Sequence, residues 1–520
     1  GVGWDRTVFE VPEFTEGKRA TILFDGAMSH ARVYLNGQEV GYWPYGYNSF
    51  YFDITRYLHA GQPNTLAVRL ENLPESSRWY PGAGLYRNVH LIVTEAAHIP
   101  VWGTYVTTPE VSREAAKVSF RTQVALPKGA DKAKYTLKTR LLNPNGQQLI
   151  ELSESLAGKA DEVAQECTVH KPTLWSPDLP ALYKAESRLY EGDKLRDTYT
   201  TTFGIRSIEV IPDKGFFLNG ERTVFKGVCN HHDLGPLGAA VNSAAIRHQI
   251  SMLKDMGCNA IRTSHNMPAP ELVQACDEMG VMLMAESFDE WNKPKCANGY
   301  NLLFDEWAER DLVNLVRHYR NNPSVVFWCI GNEVPNQSDK EGYLIAKRLQ
   351  DICHREDPTR PVTQGMDNPD AVVANGFAAV MDVAGFNYRP HLYVRNYLVL
   401  PQKLILGSET ASTVSSRGVY KFPVERKAMA VYDDHQSSGY DVEHCSWSNL
   451  PEDDFMQHED LPYCIGEFVW TGFDYLGEPT PYYTNWPSHS SLFGIIDLAS
   501  IPKDRYYLYR SHWNKEEKTL

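Results

Sequence analysis

Ser324-Val325-Val326-Phe327-Trp328-Cys329-Ile330-Gly331-Asn332-Glu333 is the stretch on which the reading of this chain turns. It is an apolar run that ends on an amide and a carboxylate. A run of this kind suits a strand buried on both faces, as in a parallel sheet covered by helices. A carboxylate at its C-terminal end would then sit at the mouth of a barrel, where such folds keep their chemistry. A second stretch, Lys403 to Glu409 (KLILGSE), ends in the same way. Two carboxylates are what cleavage of a glycosidic bond requires.

Working outward, the residues after about 209 alternate between strands and helices. Val224–Val228, Ala260–Thr263, Val281–Ser287, Val325–Ile330, Pro361–Gly365, Val383–Phe386, Leu404–Leu406 and Ile465–Val469 read as eight strands. Amphipathic helices are predicted over Ala244–Met256, Pro270–Met279, Phe304–Arg320 and Gly342–Arg355. Lys503 to Tyr509 reads as a last helix. The pattern predicts a (β/α)₈ TIM barrel over 209–520, with Glu333 ending strand four and Glu409 ending strand seven.

Upstream the grammar is all-β. In residues 1–97, Leu66, Val68 and Leu70 alternate with Ala67 and Arg69, and Arg32–Leu35 runs into Asn36-Gly37, a type I′ hairpin signal. A jelly-roll sandwich is expected there. Residues 98–208 carry apolar-alternating runs at Lys117–Val124, Ala133–Leu142 and Ala181–Tyr190, with the turn Asn143-Pro144-Asn145-Gly146. That spacing suits an immunoglobulin-like β-sandwich acting as a spacer.

Composition sets the outer bounds. A chain of 520 residues with 42% hydrophobic and 22% charged residues is globular and multidomain. Net charge −14 without a basic stripe argues against nucleic acid. No apolar run approaches the roughly 18 residues of a membrane helix. Nine dispersed cysteines with no CxxC pair indicate neither a disulfide framework nor a zinc site. No HExxH or GxSxG motif supports a peptidase or metal hydrolase. Twelve Trp and 29 Tyr fit either sugar-stacking surfaces or aromatic-rich strands. Gly1 is not an initiator Met and no signal-peptide pattern is present, so a leader removed before Gly1 is compatible with the chain. The compartment (periplasmic, secreted or cytoplasmic) and homo-oligomer formation stay open.

Chemistry is assigned from neighbours. Asn332 beside Glu333 can bind a sugar hydroxyl next to an acid/base, whereas Gly407-Ser408 and Thr410 give Glu409 small polar neighbours that can hold it ionised. Further motifs are Gly82-Ala83-Gly84-Leu85-Tyr86-Arg87, Lys226-Gly227-Val228-Cys229-Asn230-His231-His232-Asp233, Asn259-Ala260-Ile261-Arg262-Thr263-Ser264-His265 and Gly466-Glu467-Phe468-Val469-Trp470. With Gly331-Asn332-Glu333 and Gly407-Ser408-Glu409-Thr410 they span nearly the whole chain. In this order the chain resembles glycoside hydrolase family 2, the β-galactosidase and β-glucuronidase family.

The resemblance implies Glu333 as acid/base and Glu409 as nucleophile. It also places His265, Asn332, Tyr388 and Trp470 around the sugar. Plainer readings stand beside these: a strand-end hydrogen bond for His265, a core aromatic for Tyr388, barrel packing for Trp470. Asp289 is a candidate hydroxyl acceptor. The implied activity is retaining exo-β-glycosidase action on the non-reducing ends of oligosaccharides, β-galactosidase first. The alternatives are β-glucuronidase, β-mannosidase or β-glucosidase specificity, or a non-catalytic carbohydrate-binding protein of the same fold.

Departures matter too. The Asn-x-Lys motif of β-glucuronidases is missing from Phe493-Gly494-Ile495-Ile496-Asp497, although Lys503 and Arg505 lie nearby. Glu290-Trp291-Asn292 lacks the His of a magnesium-binding Glu-x-His, so no metal or other cofactor is expected; magnesium and sodium are unsupported. Arg78 stands where those families offer a substrate-binding Asp, which suits an acidic or sulfated substrate; a solvated loop residue is the plainer reading of equal standing. The Gly- and aromatic-rich stretch 472–482 is expected to wall the pocket. Relatives of this type begin before Gly1 and continue into further β domains, which predicts missing segments at either end.

Overall fold

The computed structural model describes residues 1–11, 14, 15 and 17–516; the last four residues of the segment read as barrel lie outside them. Eight strands form one closed barrel: β1 (Phe225–Asn230), β2 (Ala260–Thr263), β3 (Met282–Glu286), β4 (Val325–Asn332), β5 (Val362–Met366), β6 (Ala384–Asn387), β7 (Ile405–Ala411) and β8 (Cys464–Trp470). Every neighbouring pair is parallel, and β8 closes onto β1 through Phe225↔Gly466 to Cys229↔Trp470. All residues of β2 to β8 are buried, which is why their sequences run apolar instead of alternating.

Helices cover the barrel. Ser243–Asp255 is capped by Asn242, whose side chain accepts from the Ala245 N–H at 3.0 Å. Pro270–Met279 starts on Pro and ends at Gly280 with φ 77°, the usual asymmetry of helix ends. Phe304–Tyr319 buries Trp307, Leu312, Leu315, Val316 and Tyr319 on one stripe.

Two expectations shift. Strand four continues through Asn332, and strand seven continues past Glu409 to Ala411, so Glu409 lies within its strand instead of ending it. Both strands also slip register just before the carboxylate. Cys329 and Asn332 of β4 face Thr363 and Gly365 of β5; Phe386 and Asn387 of β6 face Gly407 and Glu409 of β7. Each slip inserts one extra residue, and a bulge of this kind re-aims the side chain that follows.

The first β region packs a four-stranded sheet (Val2–Phe9, Asn64–Glu71, Ala31–Leu35, Gln38–Trp43) on a three-stranded one (Phe50–Asp53, Lys18–Phe24, Val89–Glu95). Asn36 and Gly37 have φ of 51° and 80°, as a type I′ turn requires. The second region packs four strands on three, all antiparallel. A small sheet that sequence reading did not find, Ile208–Ile211, Gly215–Leu218 and Glu221–Thr223, leads into the barrel and sets Phe216 against Phe225.

The first region touches the barrel mouth. Asn48 Nδ2 and Trp43 Nε1 donate to the buried Asp311 carboxylate at 2.7 and 2.8 Å. Arg87 donates to the Met267 carbonyl at 2.9 Å. No helix among the described residues is long and apolar enough to cross a membrane. All nine cysteines are free thiols.

Candidate active site

The C-terminal ends of the strands open into a cavity of about 410 Å³ lined by Arg78, His265, Asn332, Glu333, Tyr388, Glu409 and Trp470 among others. Seven of the eight site residues singled out in the sequence therefore meet there. The eighth, Asp289, stands just behind. Arg78 Nε and Nη2 donate to its carboxylate at 3.1 and 2.8 Å, and Lys295 Nζ at 2.9 Å. Burial would raise Asp289, but Arg78 and then Lys295 outweigh it and hold the group well below the carboxylate range. It anchors Arg78 and also accepts from Asn332 Nδ2 at 3.2 Å. A roomier hollow of about 910 Å³, lined by Lys226, Asn259 and Trp513, lies at the opposite end of the barrel, away from the strand ends that carry chemistry.

Arg262 organises the centre, and the site list read from the sequence missed it. Fully buried on β2, it forms an ion pair with Glu286 and donates to the Ser408 carbonyl at 2.8 Å, Glu409 Oε1 at 3.1 Å and Asn332 Oδ1 at 3.0 Å. The signal was present: an arginine in the otherwise apolar run Ala260-Ile261-Arg262 needs a buried anion. Glu286, at the end of the apolar run Met282–Glu286, is that anion.

Glu333 sits at φ 43° immediately after β4, a conformation uncommon outside glycine. Its N–H donates to the Gly365 carbonyl at 2.8 Å, and its Oε1 accepts from Asn387 Nδ2 at 2.8 Å. Asn387 is held in turn by Ser408 Oγ at 2.7 Å, so the two strands share one network. Burial raises Glu333, and the nearby Asp367 charge adds to it.

Glu409 receives Arg262 and lies 3.5 Å from His265 Nε2. Tyr388, at φ 59°, accepts from Ser412 Oγ at 2.6 Å, which leaves its own proton for Glu409, with which it hydrogen-bonds. Burial pushes Glu409 up to about 8, the Glu333 charge adds to the rise, and Arg262 and Tyr388 oppose it. The pair thus shares a proton near neutral pH. That large rise alone would protonate Glu409 first. The contacts point the other way, because a guanidinium at 3.1 Å favours a carboxylate more than the neutral amide facing Glu333. These contacts favour the ionised form of Glu409.

His265 is held by Glu286 through Nδ1 at 2.7 Å and stacks on Trp470 with centroids 5.1 Å apart and planes 6° apart. Burial and then the Arg262 charge keep it neutral. Glu478, from the wall predicted over 472–482, bonds Arg78 at 3.0 Å and Tyr475 at 2.6 Å. Lys503 and Arg505 are spoken for: Lys503 pairs with Asp474 at 2.7 Å, Arg505 donates to the Phe493 and Gly494 carbonyls at 2.8 Å, and neither lines the cavity. Glu290 accepts the N–H groups of Lys295, Cys296 and Asn301, so it clamps a loop. Among the described residues no group of three or more His, Cys, Asp or Glu side chains is placed to hold a metal ion.

A barrel that gathers two carboxylates around a buried arginine, with two β-sandwiches ahead of it, defines a class of multidomain barrel protein with a paired-carboxylate pocket. Residues 209–482 match the family description "Glycosyl hydrolases family 2, TIM barrel domain", residues 97–206 "Glycosyl hydrolases family 2", and residues 1–95 its sugar binding domain. The chain belongs to glycosyl hydrolases family 2. It is 40% identical to "Beta-galactosidase BoGH2A" of Bacteroides ovatus, over 99% of this chain and 66% of that protein. It is 34% identical to a "Putative beta-glucuronidase" of Formosa agariphila, over 99% of this chain and 50% of that protein. A solved beta-glycosidase from Bacteroides vulgatus superposes with a TM-score of 0.87 at 33% identity, covering 99% of this chain and 67% of that one. The chain thus spans between half and two-thirds of the length of these two curated relatives.

Proposed function

We propose that the chain carries the catalytic machinery of a retaining exo-β-glycosidase acting first on β-galactosides. The observation that carries this reading is the unequal pair: Glu409 against a guanidinium and Glu333 against an amide, both facing one cavity. Ionised Glu409 attacks the anomeric carbon while Glu333 gives its proton to the leaving oxygen. Glu333 then takes a proton from water, which displaces Glu409. The buried floor of His265, Trp470 and Tyr388 suits a single terminal sugar, with an aromatic face under its apolar side. The 40% identical relative bears a β-galactosidase name, and the chain lacks Asn-x-Lys.

One observation favours a second reading, β-glucuronidase. Arg389 lines the cavity, and among the described residues its guanidinium reaches only the Asn387 carbonyl, at 3.5 Å, with no carboxylate partner. It could meet a uronate, and the 34% identical relative is named accordingly.

A panel of p-nitrophenyl β-galactoside, β-glucuronide, β-mannoside and β-glucoside separates the readings. The galactoside should turn over fastest. Fastest turnover of the glucuronide, lost in Arg389→Ala, establishes the second reading instead. No turnover of any member by folded protein removes both and leaves a non-catalytic sugar-binding role.

A further inference from the structure

Aromatic rings around the cavity fall into two groups. Those at the floor are buried and paired: Trp470 stacks on His265 and meets Tyr475 edge-on at 5.8 Å. Trp447 and Tyr483 line the same cavity yet are 39% and 56% exposed, and neither pairs with another ring among the described residues. They arrive from separate connections, Trp447 from the long excursion between β7 and β8 and Tyr483 from the segment after β8. Trp486, three residues beyond Tyr483, is more exposed still.

With Asn332, His265, Tyr388 and Trp470 buried at the floor, the cavity opens on the side of these two rings. A group leaving the anomeric carbon has to pass that opening. Exposed apolar surface at the rim of a cleft marks a binding surface, and a flat ring suits the C–H face of a pyranose.

We propose that Trp447 and Tyr483 form the subsite for the leaving-group sugar, so that the substrate class is oligosaccharides rather than small glycosides. This rests on the glycosidase reading above. The same subsite would hold an incoming sugar acceptor. In that transfer the ester bond between Glu409 and the anomeric carbon breaks, an acceptor hydroxyl forms the new C–O bond, and its proton passes to Glu333.

The test uses the full chain, the best p-nitrophenyl glycoside as donor, and cellobiose, xylobiose, maltose and lactose as acceptors. The readout is the ratio of transfer product to hydrolysis product. Both products come from one glycosyl-enzyme, so the ratio ignores how fast that species forms and counts only folded, active protein. Trp447→Ala and Tyr483→Ala should each lower the ratio roughly five- to ten-fold. Trp447→Phe should restore most of it. Phe422→Ala, exposed on the same excursion but outside the cavity, should leave it unchanged. Wild-type ratios in both alanine variants, or no transfer to any of the four sugars by wild type, overturn the subsite. No hydrolysis of any aryl glycoside overturns the glycosidase reading instead.

Discussion

Glu333 and Glu409 are the same side chain made different by their neighbours. Removing the Asp367 charge tests this for Glu333. Beyond burial, that charge raises Glu333, so Asp367→Asn should lower the pKa of Glu333. Departure of a p-nitrophenyl group is assisted by protonated Glu333, and the basic limb of kcat/KM should therefore move to lower pH. A basic limb unmoved or displaced to higher pH would mean that Glu333 is not the proton donor. On the same p-nitrophenyl substrate Glu333→Gln should lose roughly 10²- to 10⁴-fold in kcat. Both glutamates were legible in the sequence because each closes an apolar run. Asn387, which bonds Glu333, was not singled out, since nothing in Phe386-Asn387-Tyr388 shows that its amide crosses to the neighbouring strand. Asp289 was read as a hydroxyl acceptor, and its ion pair with Arg78 was not legible, because Arg78 comes 211 residues earlier and only folding joins them.

At the scale of elements, the apolar runs located the strands well, and their period fixed the helices. The bulges in β4 and β7 were invisible, because a slip of one residue depends on the partner strand. Glycine marks where the barrel closes. Gly466 has φ 120°, and a Cβ there would stand 2.3 Å from the Phe225 carbonyl oxygen and 2.4 Å from its nitrogen, backbone atoms that cannot step aside. Gly37 has φ 80° but open space around it. Gly466→Ala should therefore cost folded protein or several degrees of Tm, whereas Gly37→Ala should cost about 1 kcal/mol, the penalty of left-handed backbone. Thermal melts of the two variants decide this. Equal losses would show that closure of β8 on β1 tolerates a side chain.

Across the whole molecule, the two β regions do different work. The first supplies Arg78 to the cavity and is fixed to the barrel through Asp311 and Arg87. The second places no residue in that cavity. Arg78 bridges Asp289 and Glu478, so Arg78→Ala takes the guanidinium from the cavity-lining Glu478 and leaves Asp289 paired with Lys295. A fall in kcat/KM of roughly 10- to 100-fold with little change in Tm is expected, given a partly exposed site. Unchanged kinetics would confine the first region to support. The central claim is that Glu409 becomes covalently bound to sugar, and trapping with a 2-deoxy-2-fluoro-β-galactosyl fluoride followed by peptide mass spectrometry tests it most directly. One adduct is expected, on the peptide that contains Glu409, absent from Glu409→Gln. An adduct on another residue, or steady turnover of the reagent class by Glu409→Gln, would contradict it.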